Sequence, residues 1–261
     1  MIPYFPEPVL RFGPIALPAF RLLLTAAVLL GGTIMIRRAC RFKISGHLMF
    51  RVSLWAIAFG LVGAHVAKLA MDYAPLFVSD PLIVFTTSRG IRSIGGLSGG
   101  LLGALVCCRL RRVSWFETFR LLDIMAYAMP FAFMVGRLGC ALVHDHRGLP
   151  SNSWLAVQFP EGSRYDLGLI EFLFLIAASA LFYWLDRKPR PVGFFLALFG
   201  LVYGAFRIWL DTLHMQPMRF YEGAALFVMG VLAWQLQPGT AVGPFDETAV
   251  DPMAAAEELR R

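Results

Sequence analysis

Two arginines, Arg137 and Arg207, stand inside apolar runs of this chain, and His144, Asp145 and His146 follow closely behind the first of them. A guanidinium group matches phosphate oxygens with paired N–H donors. An imidazole beside a carboxylate can take up a proton near neutral pH. Arg207 and Asp211 are four residues apart, so on a helix they share a face and can pair. The arginines suit one kind of chemistry, holding a phosphate ester, and the triplet beside Arg137 is titratable near pH 7. A metal is not expected, because His144 and His146 form an i, i+2 pair with one carboxylate and no further ligand placed by spacing. No cofactor is expected either. Cys40, Cys107, Cys108 and Cys140 have neither metal nor redox spacing, and they make no disulfide framework.

The elements that carry these residues are apolar. The chain has 261 residues, of which 58% are hydrophobic, and its mean hydropathy is +0.64. Several runs reach the roughly 20 residues that a membrane-spanning helix needs. The fold class expected is all-α, a polytopic membrane protein with seven spans, near 17–36, 52–71, 94–109, 121–143, 167–185, 192–213 and 221–236. Residues 1–236 form one membrane domain. Residues 237–261 are Pro/Gly-rich and then acidic, which predicts a disordered tail. The N-terminal segment lacks the basic start of a cleaved signal peptide, so the first span is expected to stay.

The net charge of +7 could suit nucleic acid, but the basic residues lie between apolar runs. A topological reading therefore replaces a nucleic-acid one. Arg37, Arg38, Arg41, Lys43, Arg51, Arg109, Arg111, Arg112, Arg120, Arg187, Lys188 and Arg190 fall in loops on one side. The other side holds only Arg11, Arg89, Arg92, Arg147, Arg164 and Arg219. The positive-inside rule then predicts an outer N-terminus and a cytoplasmic C-terminus.

With that orientation the intramembrane polar groups share a depth. Arg21, His65, Lys68, Arg137, Glu171, Arg207, Asp211 and Glu222 all fall toward the outer ends of six spans, whereas Asp123 is near the cytoplasmic end of the fourth. Ionisable groups in a bilayer are costly and face the bundle interior or a cavity. A shared depth predicts a polar cavity opening outward, where the abundant phosphates belong to phospholipid headgroups. In "IGGLSGGLLGALV", Gly95, Gly99 and Gly103 are four apart, which suits close helix packing. The Gly95–Gly96 pair at the start of that helix could also admit a headgroup to the backbone.

Four segments resemble the bacterial prolipoprotein diacylglyceryl transferases, in that family's order. They are "RSIGGLSGGLLG" (Arg92–Gly103), "LLDIMAYAMPFAFMVGRLGC" (Leu121–Cys140), "FPEGSRYDLGLIEFL" (Phe159–Leu173) and "KPRPVGFFLALFGLVYGAFRIWLD" (Lys188–Asp211). The resemblance implies transfer of the diacylglyceryl group of phosphatidylglycerol to the lipobox cysteine thiol of a prolipoprotein, at the outer face of the membrane. Its partners are phosphatidylglycerol, prolipoprotein signal peptides and the membrane. By motif, Arg137 and Arg207 match the family's essential arginines. Asp211 stands where the family has Glu, Asp145 matches the second acidic residue of the signature, and Glu171 matches the Glu before the fifth span.

The chain also departs from the family pattern. Ile94 replaces the usual His, a proposed general base. Phe20 replaces an early Tyr, Cys140 replaces the signature Asn, and Val143-His144-Asp145 replaces Asn-Gly-Glu. The expected site therefore has His144 or His146 as the replacement base, oriented by Asp145, with Arg207 and Asp211 in the catalytic set. Arg137, Gly95, Gly96 and Glu171 bind the lipid. The alternative is a non-catalytic phospholipid- or lipoprotein-binding paralog that has lost its base. A transporter is less well supported, because its polar groups are expected at the midplane.

Overall fold

The computed structural model describes residues 1–12, 15–73, 92–215, 220–237 and 241–242. The tail expected to be disordered lies almost wholly outside these residues. Seven helices are described: α1 (Ala19–Arg41), α2 (Gly46–Asp72), α3 (Ser93–Leu110), α4 (Trp115–Val143), α5 (Leu167–Leu185), α6 (Phe194–Asp211) and α7 (Tyr221–Gln235). The first six are long and apolar enough to cross a membrane. Leu29, Leu61, Val62, Leu102 and Trp184 are among many large apolar side chains left exposed on them. Such surface is costly in water and suits lipid tails. This is a multi-pass membrane protein.

Several helices start earlier, or end later, than apolar runs alone predict. α4 begins at Trp115 rather than near 121, because Ser114 caps it by accepting a 3.2 Å bond from the Glu117 backbone N–H. α1 continues to Arg41 because Arg38 is buried there. Its Nη1 donates to Asp186 Oδ1 at 2.6 Å, and its guanidinium lies 3.8 Å from the Tyr127 ring centre. That pair ties the end of α1 to the end of α5. A small cavity of about 30 Å³ beside Arg38, Asp123 and Asp186 lies at this basic end of the bundle, far from the two arginines at issue.

Small residues set the closest helix contacts. α2 and α3 run antiparallel, with Gly63 against Gly95, Phe59 against Gly99 and Trp55 against Gly103. A Cβ on Gly95 would lie 2.1 Å from the Gly63 carbonyl oxygen. The close-packing reading of the glycine repeat thus describes what Gly95 does. Gly96 also faces α2, with Ala64 and Gly60 opposite. Gly95 is buried in this contact, whereas Gly96 is half-buried and meets Ala64 only at ordinary van der Waals distance, 3.7 Å. Gly95→Leu should prise α2 from α3, at a cost of about 1–3 kcal/mol by overpacking. Thermal unfolding of the purified variant in detergent checks this; an unshifted midpoint would refute the contact. α6 and α7 meet through Gly200, Gly204, Gly223 and Gly230 in the same way.

Short strands, not foreseen in an all-α reading, cover one end of the bundle. β1 (Ile2–Pro3), β5 (Ala156–Phe159), β6 (Gly162–Asp166) and β4 (Arg147–Pro150) form a four-stranded sheet in the order β1-β5-β6-β4. β1 pairs parallel with β5, and the other pairs are antiparallel. β2 (Val9–Phe12) and β3 (Ile15–Pro18) form a hairpin leading into α1, and β7 (Arg190–Pro191) pairs with β8 (Ala241–Val242). The sheet spans the connection from α4 to α5. It therefore lies at the end of the bundle where Arg137 and Glu171 are found.

Candidate functional site

Glu171 is the centre of this end. It sits one turn into α5, is 1% exposed, and is bonded on both oxygens. Arg137 Nε on α4 lies 2.9 Å from Oε1, and the Tyr203 hydroxyl on α6 donates to the same oxygen at 2.5 Å. Arg207 Nη1, also on α6, donates to Oε2 at 3.2 Å. The two arginines, expected from sequence to share a depth, are thus held on opposite oxygens of one carboxylate. A buried carboxylate stays charged only when paired and hydrogen-bonded, and these three donors fulfil that condition.

Arg207 is shared more widely. Its Nη2 donates to Asp211 Oδ1 and to Glu222 Oε2, each at 3.2 Å. The i, i+4 pair expected from spacing is present. Glu222, at the start of α7, extends the network to α3: it accepts from the Ser93 hydroxyl at 3.3 Å and from the Ile94 backbone N–H at 3.3 Å. The position where the family's histidine is replaced is therefore two contacts from Arg207. Five helices, α3 to α7, converge here. Of the other groups read at this depth, Arg21 is exposed and Lys68 lies over the Tyr73 ring. Asp211 keeps one oxygen, Oδ2, buried and without a hydrogen-bond partner among the described residues.

The His144-Asp145-His146 triplet divides into two parts with different surroundings. His144 closes α4 in the left-handed region, with φ of 55°. That backbone suits glycine. Here the ring itself holds the turn. It is 4% exposed, lies between Tyr4, Phe5 and Phe159, and its Nδ1 is 2.6 Å from Asp166 Oδ2. Asp166 also caps α5, accepting from the Leu169 N–H at 3.1 Å. Burial pushes the Asp166 carboxyl up, and the His144 bond works against that shift. His144 is therefore a buried link between α4 and α5, in surroundings unlike the open site mouth where a replacement base was expected.

His146 remains accessible, at 38%. The left-handed turn at His144 sends the chain back over the last turn of α4, so that Asp145 and His146 meet Cys140. His146 Nδ1 is hydrogen-bonded to Asp145 Oδ1. The Asp145 hydrogen bond, followed by one with Cys140, holds the His146 ring protonated up to about 9. Cys140 lies 3.9 Å from Arg137 Nη1. Ligand-capable atoms of Cys140, Asp145 and His146 all lie within 4.8 Å of one another. The sequence reading places no further His or Cys ligand beside His144, Asp145 and His146, and the structure brings Cys140 to the last two while His144 turns away. The signal missed was the αL cap, which converts a spacing of five and six residues into contact. Tyr203 was missed too. It lies one helical turn before Arg207, in the same "YGAFR" segment that carried the resemblance.

Nearby, the bridge between Gly148 and His214 and the Leu149 N–H bond to the Leu213 carbonyl at 2.9 Å pin β4 to the end of α6. A Cβ at Gly148 would lie 2.8 Å from that carbonyl, so the strand approaches closely only with glycine there. Desolvation, with Arg207 nearby, lowers the His214 ring. The resulting face has two guanidinium groups on a buried carboxylate, with an exposed imidazole, a carboxylate and a thiol beside Arg137. Chemically it can hold an anionic ester and activate a nucleophile next to it.

Comparison with known proteins identifies relatives of the whole chain. Residues 7–237 match the family model described as prolipoprotein diacylglyceryl transferase. The chain is 32% identical over 227 residues to a protein of Bordetella avium named phosphatidylglycerol–prolipoprotein diacylglyceryl transferase, covering 80% of this chain and 81% of that one. Proteins of the same name from Mannheimia succiniciproducens and Trichormus variabilis are 29% and 26% identical, over 80% and 88% of this chain and 80% and 89% of theirs.

Proposed function

Because the chain belongs to the prolipoprotein diacylglyceryl transferase family, we propose that this membrane transferase moves the diacylglyceryl group of phosphatidylglycerol to the lipobox cysteine thiol of prolipoproteins. The reaction takes place at the outer face of the bacterial inner membrane. The observation that carries the proposal is the joining of Arg137 and Arg207, from separate helices, through Glu171. Paired guanidinium groups fixed in advance are suited to a phosphate diester, and preorganised charge costs no rearrangement as the leaving group forms.

In the reaction, the thiol sulfur forms a bond to the terminal glyceryl carbon that carries the phosphate ester. The carbon–oxygen bond breaks, and its electrons pass to the ester oxygen of glycerol phosphate, which departs. Arg207 and Arg137 stabilise that charge. Asp211, with an unpartnered oxygen, and Glu171 hold Arg207 in place. The incoming thiol meets the chain beside Arg137, where the minor neutral fraction of His146, oriented by Asp145, takes its proton. Glu222 links this machinery to the start of α3, so α3 supports the site through its backbone even though Ile94 brings no imidazole.

The test is direct. The purified protein in detergent micelles is given phosphatidylglycerol and a lipobox peptide, and the product is read by mass. A thioether-linked diacylglyceryl peptide with release of glycerol phosphate is expected, and a serine-for-cysteine peptide should give none. Lipid binding without any product would overturn the assignment and leave a binding protein in its place.

A further inference from the structure

We infer that Cys140, Asp145 and His146 bind a divalent cation of the zinc type, whose open position takes the thiol of the lipobox cysteine. The substrate role rests on the transferase reading above; the metal site rests on geometry alone. Thiolate, carboxylate and imidazole are all good zinc donors, and a site with three protein ligands keeps the fourth position for a water or a substrate. Zinc with ligands at about 2.0–2.3 Å sets tetrahedral ligand atoms roughly 3.3–3.8 Å apart. The three atoms here already lie within 4.8 Å of one another. To hold the ion, the widest of these separations closes by about 1 Å and the Asp145 carboxylate exchanges its hydrogen bond with the His146 ring for the metal. Asp145 and His146 are on an exposed turn at the end of α4, with side chains 39% and 38% exposed, so their torsions can supply this movement.

A hydrogen-bonded Cys-His-Asp relay is the competing use of the same residues. In a relay the thiol and the carboxylate occupy opposite nitrogens of the ring, which keeps them apart. Here the sulfur and the carboxylate oxygen lie within the same 4.8 Å of each other and of the ring nitrogen. They converge on one point, as ligands of an ion do. The charges also balance. Thiolate and carboxylate contribute two negative charges against the two positive charges of the cation. Arg137, 3.9 Å from the sulfur, has its own countercharge in Glu171.

This placement answers the replacement at Ile94. A thiol that binds zinc loses its proton outright, so no imidazole is needed at the start of α3. The proton leaves to solvent as the substrate sulfur binds. The metal-held thiolate then attacks the glyceryl carbon next to the arginines. The ester oxygen takes the carbon–oxygen electrons, and glycerol phosphate departs. The thioether formed is neutral and a poor ligand, so the product is released.

Cobalt(II) is the probe. The full chain, purified in detergent and treated with chelator, is titrated with Co²⁺. One ion per chain is expected, with a near-ultraviolet sulfur-to-cobalt charge-transfer band. Cys140→Ser should abolish the band, His146→Ala should weaken binding, and Cys40→Ser, at an exposed cysteine elsewhere, should leave it intact. A lipobox peptide should intensify the band, and its serine analogue should not. Absence of the band, or its survival in Cys140→Ser and His146→Ala alike, overturns the metal site. Full transfer by chelator-stripped protein overturns the metal's role and leaves the transferase reading standing. The expected band without any transfer from phosphatidylglycerol supports the site and overturns the transferase reading instead.

Discussion

Replacing Arg207 by alanine is expected to reduce diacylglyceryl transfer by about 10²–10³-fold, the usual cost of losing one preorganised donor to developing negative charge. The structure adds a second consequence. Arg207 is the shared partner of Glu171, Asp211 and Glu222. Its removal leaves three carboxylates facing one another, with Arg137 beside Glu171 and His214 beside Asp211 among the described residues. Breaking a buried ion pair on one side costs about 3–5 kcal/mol, so thermal stability should fall as well. Arg207→Lys separates the two effects. The ammonium keeps the charge and should recover most of the stability. It lacks the planar fork that reaches several oxygens at once, so its rate should stay low. Initial rates of both variants, corrected for the folded fraction measured by thermal unfolding, decide the matter. A parental rate in Arg207→Ala would make Arg207 a structural ion-pair member only.

The two histidines of the triplet should separate sharply. His146→Ala is expected to slow transfer on the order of 10²–10⁴-fold, the range for loss of a group that handles the nucleophile's proton, with phosphatidylglycerol binding nearly intact. The ring is half-exposed and its hydrogen-bond partners among the described residues are Asp145 and Cys140, so the fold should tolerate the change. His144→Ala should do the reverse. It strands Asp166 in the interior, costing about 1–3 kcal/mol, and leaves a gap among Tyr4, Phe5 and Phe159. Any loss of transfer in that variant should track the loss of folded protein. His144→Asn, which tolerates the left-handed backbone and keeps a donor, should restore part of the stability. Equal effects of the two alanine changes on rate per folded molecule would refute the division of roles.

Much of this protein was determined by its sequence alone. A bilayer solvates no backbone polar group, so long apolar runs must become helices. Runs ending in "GRLG" and "YGAFRIWLD" place Arg137, Arg207 and Asp211 on them. The i, i+4 rule was enough to pair Arg207 with Asp211, because that contact is local to one helix. Helix ends were less legible. Capping by Ser114 and burial of Arg38 lengthen α4 and α1 beyond their apolar cores.

Only the tertiary structure decided which distant groups meet. Glu171, Tyr203 and Glu222 reach Arg207 because glycine contacts draw α7 onto α6 and because the sheet brings the start of α5 beside the end of α4. No spacing along the chain encodes that. The same holds for the triplet. His144 and His146 are two residues apart and chemically alike, yet one is sealed by aromatic rings and Asp166 while the other faces Cys140. A single left-handed residue separates them, and it persists because Asp166, far along the chain, holds the His144 ring. Local sequence offered both imidazoles; long-range packing chose between them.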